Sequence, residues 1–229
     1  MSFAIPDSIP RAALVTGGDG PKGRAIAEAL TRNGFAVAVQ TRAATPGLGH
    51  AHLIADLGEE AQAAALPGRA AAAVGPLGVL VNAATLALRD TWRDECPDTW
   101  NAHMAINLRA PFVLIRHFAM SLPPGREGVA INLLDRDLQT LAPGQLSFAL
   151  SKSALWSLTQ TLALALAPGI RVNGISGGGP EEIARATLAI LAFRSMTGQM
   201  IRPDGVPPPG PDGVPSPGPD GAPPPEPEA

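Results

Sequence analysis

A short apolar run, Ala12-Ala13-Leu14-Val15, enters a glycine-rich stretch, Thr16-Gly17-Gly18-Asp19-Gly20-Pro21-Lys22-Gly23. It emerges as a helix-period segment from Arg24 to Asn33, with Ile26, Ala27 and Leu30 on one face, before Gly34 ends it. This strand, glycine turn and helix begin an alternation that runs through most of the chain. Phe35 to Gln40 predicts a second buried strand, His52 to Ala55 a third and Gly78 to Val81 a fourth, with a helix over Glu59 to Val74 interrupted at Pro67-Gly68. A long helix from Asp98 to Met120, bent near Pro111, precedes a fifth strand over Gly128 to Leu134. A helix over Leu146 to Ala167, a sixth strand over Ile170 to Ile175, a helix over Glu181 to Phe193 and a seventh strand over Gln199 to Arg202 complete the pattern. Strands alternating with helices predict an α/β fold: one doubly wound domain built on a parallel seven-stranded sheet covered on both faces.

At 229 residues the chain fits one domain of ordinary size. Past Arg202 the composition shifts into three related units, Pro203-Asp204-Gly205-Val206, Pro211-Asp212-Gly213-Val214 and Pro219-Asp220-Gly221-Ala222, with more proline after each. Proline removes backbone donors and almost nothing apolar remains to bury. Residues 203–229 are therefore expected to be a disordered, solvated tail of polyproline II and turns, following a folded unit over 1–202. The partner of such a tail is not legible. The formal net charge is −3 and the arginines are scattered, so no basic stripe exists to neutralise phosphates and nucleic acid is not an expected partner. Cys96 has no second cysteine to pair with, and Pro6, Asp7 and Pro10 interrupt the segment where a secretory signal needs a continuous apolar run. A cytoplasmic location is expected. No apolar run approaches the roughly 18 to 20 residues of a membrane span, since Leu162 to Ala167 is stopped by Pro168-Gly169.

Glycines between the first strand and the first helix let the backbone turn tightly, bringing its N–H groups and the helix amino end against a pyrophosphate. A glycine cluster alone is a weak signal, but its context strengthens it. Asp56-Leu57 follows the third strand and Val81-Asn82-Ala83-Ala84 follows the fourth, so polar groups recur at the carboxyl ends of successive parallel strands, where open α/β sheets bind ligands.

Several motifs in order carry a resemblance. They are the glycine turn Thr16 to Gly23 (pattern TGxxxGxG), Asp56-Leu57, Asn82-Ala83-Ala84 (pattern NNAG), Asn107, the Phe148/Lys152 pair (pattern YxxxK), Arg171-Val172-Asn173, and Thr197-Gly198-Gln199 leading to Asp204-Gly205. Over residues 10 to 205 the chain resembles a short-chain dehydrogenase/reductase. Asp135, thirteen positions before Phe148, stands where most members carry a serine. That aspartate, with Asn107 to Phe112 and Ala154-Leu155-Trp156, is similar to the pteridine and dihydromonapterin reductase branch. The resemblance implies a Rossmann-type domain that binds a dinucleotide through Thr16, Gly17, Lys22, Gly23, Arg42, Asp56, Leu57, Asn82, Ala83 and Lys152. It also implies a homodimer or homotetramer paired through the two long helices, whose apolar residues (Leu155, Trp156, Leu158, Leu162, Leu164 and Leu166 in the second) exceed one buried stripe. No metal-ligand set is expected.

The end of the second strand, Gln40-Thr41-Arg42, lacks the carboxylate that reads ribose hydroxyls in NAD-specific sites and offers one guanidinium suited to a 2′-phosphate, so NADP(H) is the expected cofactor. Pro21 suits a first helical position but removes one N–H that would face a phosphate, and Lys22 adds charge beside it.

Reduction by hydride transfer also needs a proton donor within hydrogen-bond reach of the atom that gains charge. In the resembled enzymes this is a tyrosine. Here Phe148 stands in its place and the chain contains no tyrosine at all. Lys152, four residues on along the same helical face, keeps its implied grip on the ribose, and Asn107 is implied to hold a water linked to it. Only Ser176-Gly177-Gly178-Gly179-Pro180 separates Ile175 from Glu181, where the resembled enzymes carry a longer segment that closes over substrate. Loss of donor and lid favours a degenerate reductase that binds NADP(H) and serves a binding, regulatory or structural role. The alternative is an active NADPH-dependent pteridine-type oxidoreductase acting on a pterin-like small molecule, with Asp135, Lys152 and water supplying the proton.

Overall fold

In the computed structural model, residues 4–45, 51–93, 97–134 and 144–205 are described. The strands are β1 (Ala12–Thr16), β2 (Ala36–Thr41), β3 (Ala51–Ile54), β4 (Val79–Asn82), β5 (Gly128–Leu133), β6 (Ile170–Ile175) and β7 (Met200–Ile201). They form one seven-stranded sheet in the order β3-β2-β1-β4-β5-β6-β7. Every pairing is parallel. Helices α1 (Pro21–Arg32), α2 (Glu60–Val74), α3 (Pro97–His103), α4 (Ala110–Ser121), α5 (Leu146–Ala165) and α6 (Pro180–Ala192) cover its faces. The chain is thus the expected doubly wound Rossmann-type domain.

Continuous apolar strands are explained by the two layers. Successive side chains of a strand point to opposite faces. Ala13 and Val15 of β1 pack into one core with Ile26 and Leu30 of α1 and Ile183, Ile190 and Leu191 of α6. Ala12 and Leu14 pack into the other with Leu66 of α2 and Leu114 and Phe118 of α4. Neither face of β1 meets water, which is why Ala12 to Val15 are all apolar and the one polar residue, Thr16, comes at the end of the strand where backbone N–H groups bond it. Strand order reverses between β1 and β4, and the ligand crevice of an open α/β sheet lies outside the carboxyl ends of the strands at such a switch point.

Two helices depart from expectation. Helix α2 runs unbroken through Pro67. Proline forfeits one helical hydrogen bond, but Ala63, Leu66, Pro67 and Ala70 form a buried stripe whose packing outweighs the loss. The expected helix over Asp98 to Met120 is three segments: α3, a π-helical stretch over Met104–Arg109, and α4. Its irregularity lies before Pro111, not at it. The Ala110 N–H reaches back to the Ala105 carbonyl, a wide turn that absorbs the missing donor and steric bulk of Pro111 in the first turn of α4.

The Arg171-Val172-Asn173 and Thr197-Gly198-Gln199 motifs fasten the far edge of the sheet. The Arg171 guanidinium donates to the carbonyls of Ile190 (2.9 Å), Leu191 (3.2 Å) and Met196 (2.9 Å), closing the carboxyl end of α6. Asn173 Nδ2 donates to the Met196 carbonyl (2.9 Å), and its Oδ1 accepts the Gln199 N–H (3.1 Å), which seats β7 beside β6. Of the expected tail only Pro203 to Gly205 fall among the described residues.

Candidate functional site

The glycine turn is held from three directions. Thr16 Oγ1, at the end of β1, accepts the N–H groups of Ala83 (3.0 Å) and Ala84 (3.1 Å), tying the turn to the loop after β4. Gln40, at the end of β2, accepts the Gly17 N–H on Oε1 (3.1 Å) and donates Nε2 to the Ala55 carbonyl (2.7 Å). The Gln40 amide is therefore committed to the fold and cannot read a ligand. Gly17 adopts a left-handed φ of 66°, and a Cβ there would lie 2.8 Å from the Ala84 backbone. At Gly23 a Cβ would fall 2.2 Å from the Gly17 carbonyl oxygen, so only glycine lets α1 approach this closely.

Helices α1 and α6 both begin on a Gly-Pro pair, yet their ends differ. Glu182 Oε2 accepts the Gly179 N–H (2.8 Å) and partly caps α6. The cap position of α1 is Gly20, which has no side chain to offer, so its first-turn N–H groups face the cleft.

The cleft has two adjoining parts that share Gly17, Asp19, Ala84 and Thr85. One, of about 360 Å³, is lined by the start of α1 including Lys22, and by Leu133, Leu134, Phe148 and Lys152. The other, of about 240 Å³, is lined by Gln40, Thr41, Arg42, Asp56, Leu57 and Ile106. Asp56 Oδ1 accepts the Gly58 N–H (2.8 Å), a local turn bond, while Arg42 is exposed at the rim.

On the other flank, α5 carries Phe148 and Lys152 into the first part of the cleft, one turn apart as their spacing predicts. Lys152 is 2% exposed, and its Nζ donates to Thr85 Oγ1 (2.9 Å) and to the Leu133 carbonyl (3.0 Å). Phe148 is buried, its ring meeting His103 edge-on with 5.8 Å between centroids. Asn107 lies in the π-helical stretch and makes a reciprocal pair with Leu86: Oδ1 accepts the Leu86 N–H (2.9 Å) and Nδ2 donates to its carbonyl (2.8 Å) and to Ser151 Oγ (3.1 Å). These bonds fix the loop after β4 and the flank of α5. Asn82 is likewise internal, donating Nδ2 to Asn132 Oδ1 (2.8 Å), whose own Nδ2 donates to Thr159 Oγ1 (2.9 Å). Asp135 lies outside the described residues.

Behind Phe148 sits a network with no counterpart in the sequence reading. Asp90 accepts the Ser147 N–H on both carboxylate oxygens (3.2 and 3.1 Å), placing a negative charge at the amino end of α5. His103 accepts the Leu88 N–H on Nε2 (2.9 Å), so its Nδ1 carries the proton and donates to Ser147 Oγ (2.7 Å). Burial lowers the His103 pKa below its ordinary value near 6.5, against a smaller upward pull from Asp90. The only sequence signal was a histidine four residues ahead of an in-helix asparagine, which is too common to single out.

The short chain dehydrogenase family matches residues 11–182 of this chain. The chain belongs to the short chain dehydrogenases. Among curated relatives, this short chain dehydrogenase is 31% identical to carbonyl reductase (NADPH) 2 of Sus scrofa, over 72% of this chain and 69% of that protein. It is 31% identical to the probable galactose dehydrogenase GalD of Rhizobium meliloti (strain 1021), over 77% and 74% respectively. Among solved structures, FolM alternative dihydrofolate reductase 1 from Brucella canis, complexed with NADP, superposes with a TM-score of 0.78 at 31% identity, covering 85% of this chain and 92% of that one.

Two features mark the α5 flank of the cleft. A phenyl ring occupies the YxxxK position in the cleft. Strand β6 ends at Ile175 and α6 begins at Pro180, so four residues join them and no segment rises over the cleft from this link. Among the described residues no helix is long and apolar enough to cross a membrane.

Proposed function

We propose that this chain is an NADP(H)-binding short chain dehydrogenase whose proton-transfer chemistry has degenerated, leaving a dinucleotide site that serves binding, regulation or structure. The observation that carries the reading is the buried Phe148 ring in the cleft, one helical turn from a retained Lys152. A hydrocarbon ring cannot donate a proton, whereas the glycine turn, the start of α1 with Lys22, and Arg42 suit an anionic, two-part ligand.

The fit to a dinucleotide rests on the cradle itself. Thr16, Gly17 and Gly23 shape a turn that a Cβ would fill, and the uncapped start of α1 offers N–H donors beside Lys22. Asn82 and Ala83 hold the wall opposite, Asp56 and Leu57 close the second part, and Arg42 stands where a 2′-phosphate would need charge while Gln40 is occupied elsewhere. When bound, the nicotinamide ring supplies a hydride. Lys152 would hold the ribose, oriented by Thr85 and Leu133. Phe148 would shield the face it packs against and leave a developing alkoxide unprotonated. With only four residues between β6 and α6, the chain would not exclude water from above that centre. NADP in the FolM structure from Brucella canis, at 31% identity, supports the choice of cofactor.

That same likeness supports a second reading, an active pteridine-type reductase close to the pteridine and dihydromonapterin reductases. There Asp135, Lys152 and water supply the proton to a pterin-like substrate. Further parts of the proposal are a cytoplasmic protein with a folded unit over 1–202 and a solvated tail over 203–229. It would pair as a homodimer or homotetramer through α5, which exposes Leu146, Leu150 and Leu164 (39%, 45% and 84%).

Titration with NADPH and NADH, followed by NADPH oxidation with dihydropterin and carbonyl substrates, tests both readings. The first predicts saturable NADPH binding without turnover, and partial activity in Phe148→Tyr. Turnover by the unmodified chain that disappears in Asp135→Ala establishes the second.

A further inference from the structure

We infer that Thr85 is a positioning residue for Lys152, and that their hydrogen bond sets how tightly the chain grips the nicotinamide half of a dinucleotide; the inference rests on the reading that the cleft takes such a ligand. Thr85 is the residue after Asn82-Ala83-Ala84, at the place where the family pattern NNAG ends on glycine. A threonine adds a methyl and a hydroxyl at a position that lines both parts of the cleft.

Three observations fix what that hydroxyl does. Its backbone cannot drift, because Thr16 Oγ1 holds the two preceding N–H groups at 3.0 and 3.1 Å. The side chain is exposed toward the cleft and so is not part of the core. Lys152, by contrast, is 2% exposed, and its Nζ is drawn between Thr85 Oγ1 (2.9 Å) on the β4 side and the Leu133 carbonyl (3.0 Å) on the β5 side.

A lysine side chain has four rotatable carbons and a point-like head, so its position is set by what its Nζ donates to. The Leu133 carbonyl alone fixes one direction; Thr85 supplies the second and pulls the head toward the junction. Because the Thr85 oxygen accepts from Lys152, its own O–H remains a donor available to an oxygen atom of the ligand at that junction. Thr85 and Lys152 thus act as one unit that recognises the nicotinamide side and leaves the adenosine side to Arg42 and its neighbours.

The test compares NADPH with 2′,5′-ADP, which occupies only the adenosine half, on the full chain and on Thr85→Val, Thr85→Ser, Lys152→Met and the Thr85→Val/Lys152→Met double variant. Thr85→Val is expected to weaken NADPH about tenfold, to leave 2′,5′-ADP within about twofold, and to leave the chain folded, since Thr85 is an exposed residue. Thr85→Ser is expected to restore the NADPH affinity. The double variant is expected to bind no more weakly than Lys152→Met alone, the signature of two groups acting through one contact. Unmodified protein that binds NADPH, with Thr85→Val equal to it, overturns this inference and leaves the proposed function intact. Equal weakening of both ligands overturns it too, because the groove rather than Lys152 would then have changed. Failure of the unmodified chain to bind NADPH or NADH overturns both.

Discussion

On the β1–β2 side of the cleft, the geometry is written into backbone. Gly17 and Gly23 are forced by contacts with main-chain atoms, Thr16 and Gln40 bond almost entirely to main-chain groups, and two buried cores fix the strands that carry them. On the β5–α5 side, the chemistry of a hydride-transfer site hangs on single side chains at the ends of elements. There the ring of Phe148 packs edge-on against His103, and four residues link β6 to α6. The contrast teaches that the turn which cradles a dinucleotide is held by the packing of the fold itself, whereas the groups of the other flank are single side chains the fold does not require. If the proposed degeneracy holds, one flank has changed freely while the other survives because the fold requires it.

The sharpest way to break this comparison is at Gly23. Gly23→Ala drives a methyl against the Gly17 carbonyl, and backbone cannot yield cheaply. A loss of about 1–3 kcal/mol in denaturant unfolding is expected, together with loss of NADPH binding. If Gly23→Ala keeps both stability and binding, the cofactor flank is less constrained than the structure implies. Next in size is Lys152→Met, which leaves the Leu133 carbonyl unpartnered by Nζ. NADPH affinity by tryptophan quenching should fall about tenfold, close to 1.4 kcal/mol. A smaller effect is expected at Arg42, which is exposed: Arg42→Ala should weaken NADPH about fivefold, roughly 1 kcal/mol, and leave NADH unchanged. Equal loss for both nucleotides would remove Arg42 from 2′-phosphate recognition.

The smallest effect concerns the network behind Phe148. Burial holds the folded-state pKa of His103 below its unfolded value near 6.5, so the unfolded chain takes up the proton first as pH falls. The His103 contribution to stability is complete above about 6.5 and declines as pH drops through that value toward the lowered folded pKa. Melting curves between pH 7.5 and 5.5 should therefore show a smaller loss of stability in His103→Gln, which keeps an acceptor for Leu88 and a donor for Ser147, than in the unmodified chain. An identical loss would mean that His103 is not held neutral.

The sheet was legible because parallel strands buried on both faces read as apolar runs, and all seven appear within about a residue or two of where periodicity puts them. Helix α2 was misjudged at Pro67, where tertiary packing overrides a local preference that sequence reads in isolation. The π-helical stretch was invisible because Met104 to Arg109 has an ordinary helical pattern, and only the register of Ala110 on Ala105 reveals it. Lys152 and Phe148 were found by a motif with fixed spacing. Asp90, His103 and Thr85 were not, since each gains meaning only from a partner brought near by the fold: Ser147 for the first two and Lys152 for the third. Asn107 was picked out by its place in the motif order, but its bonds to Leu86 and Ser151 depend on the wide turn beneath it and could not be read from the sequence.

The central claim is that the cleft holds a dinucleotide which the chain does not consume. It is tested most directly by mixing the unmodified protein with an equimolar amount of NADPH and following cofactor absorbance and tryptophan fluorescence together, with carbonyl and dihydropterin substrates present. The account predicts quenching of fluorescence with NADPH absorbance preserved over hours. Quenching followed by rapid, stoichiometric loss of NADPH absorbance would contradict it.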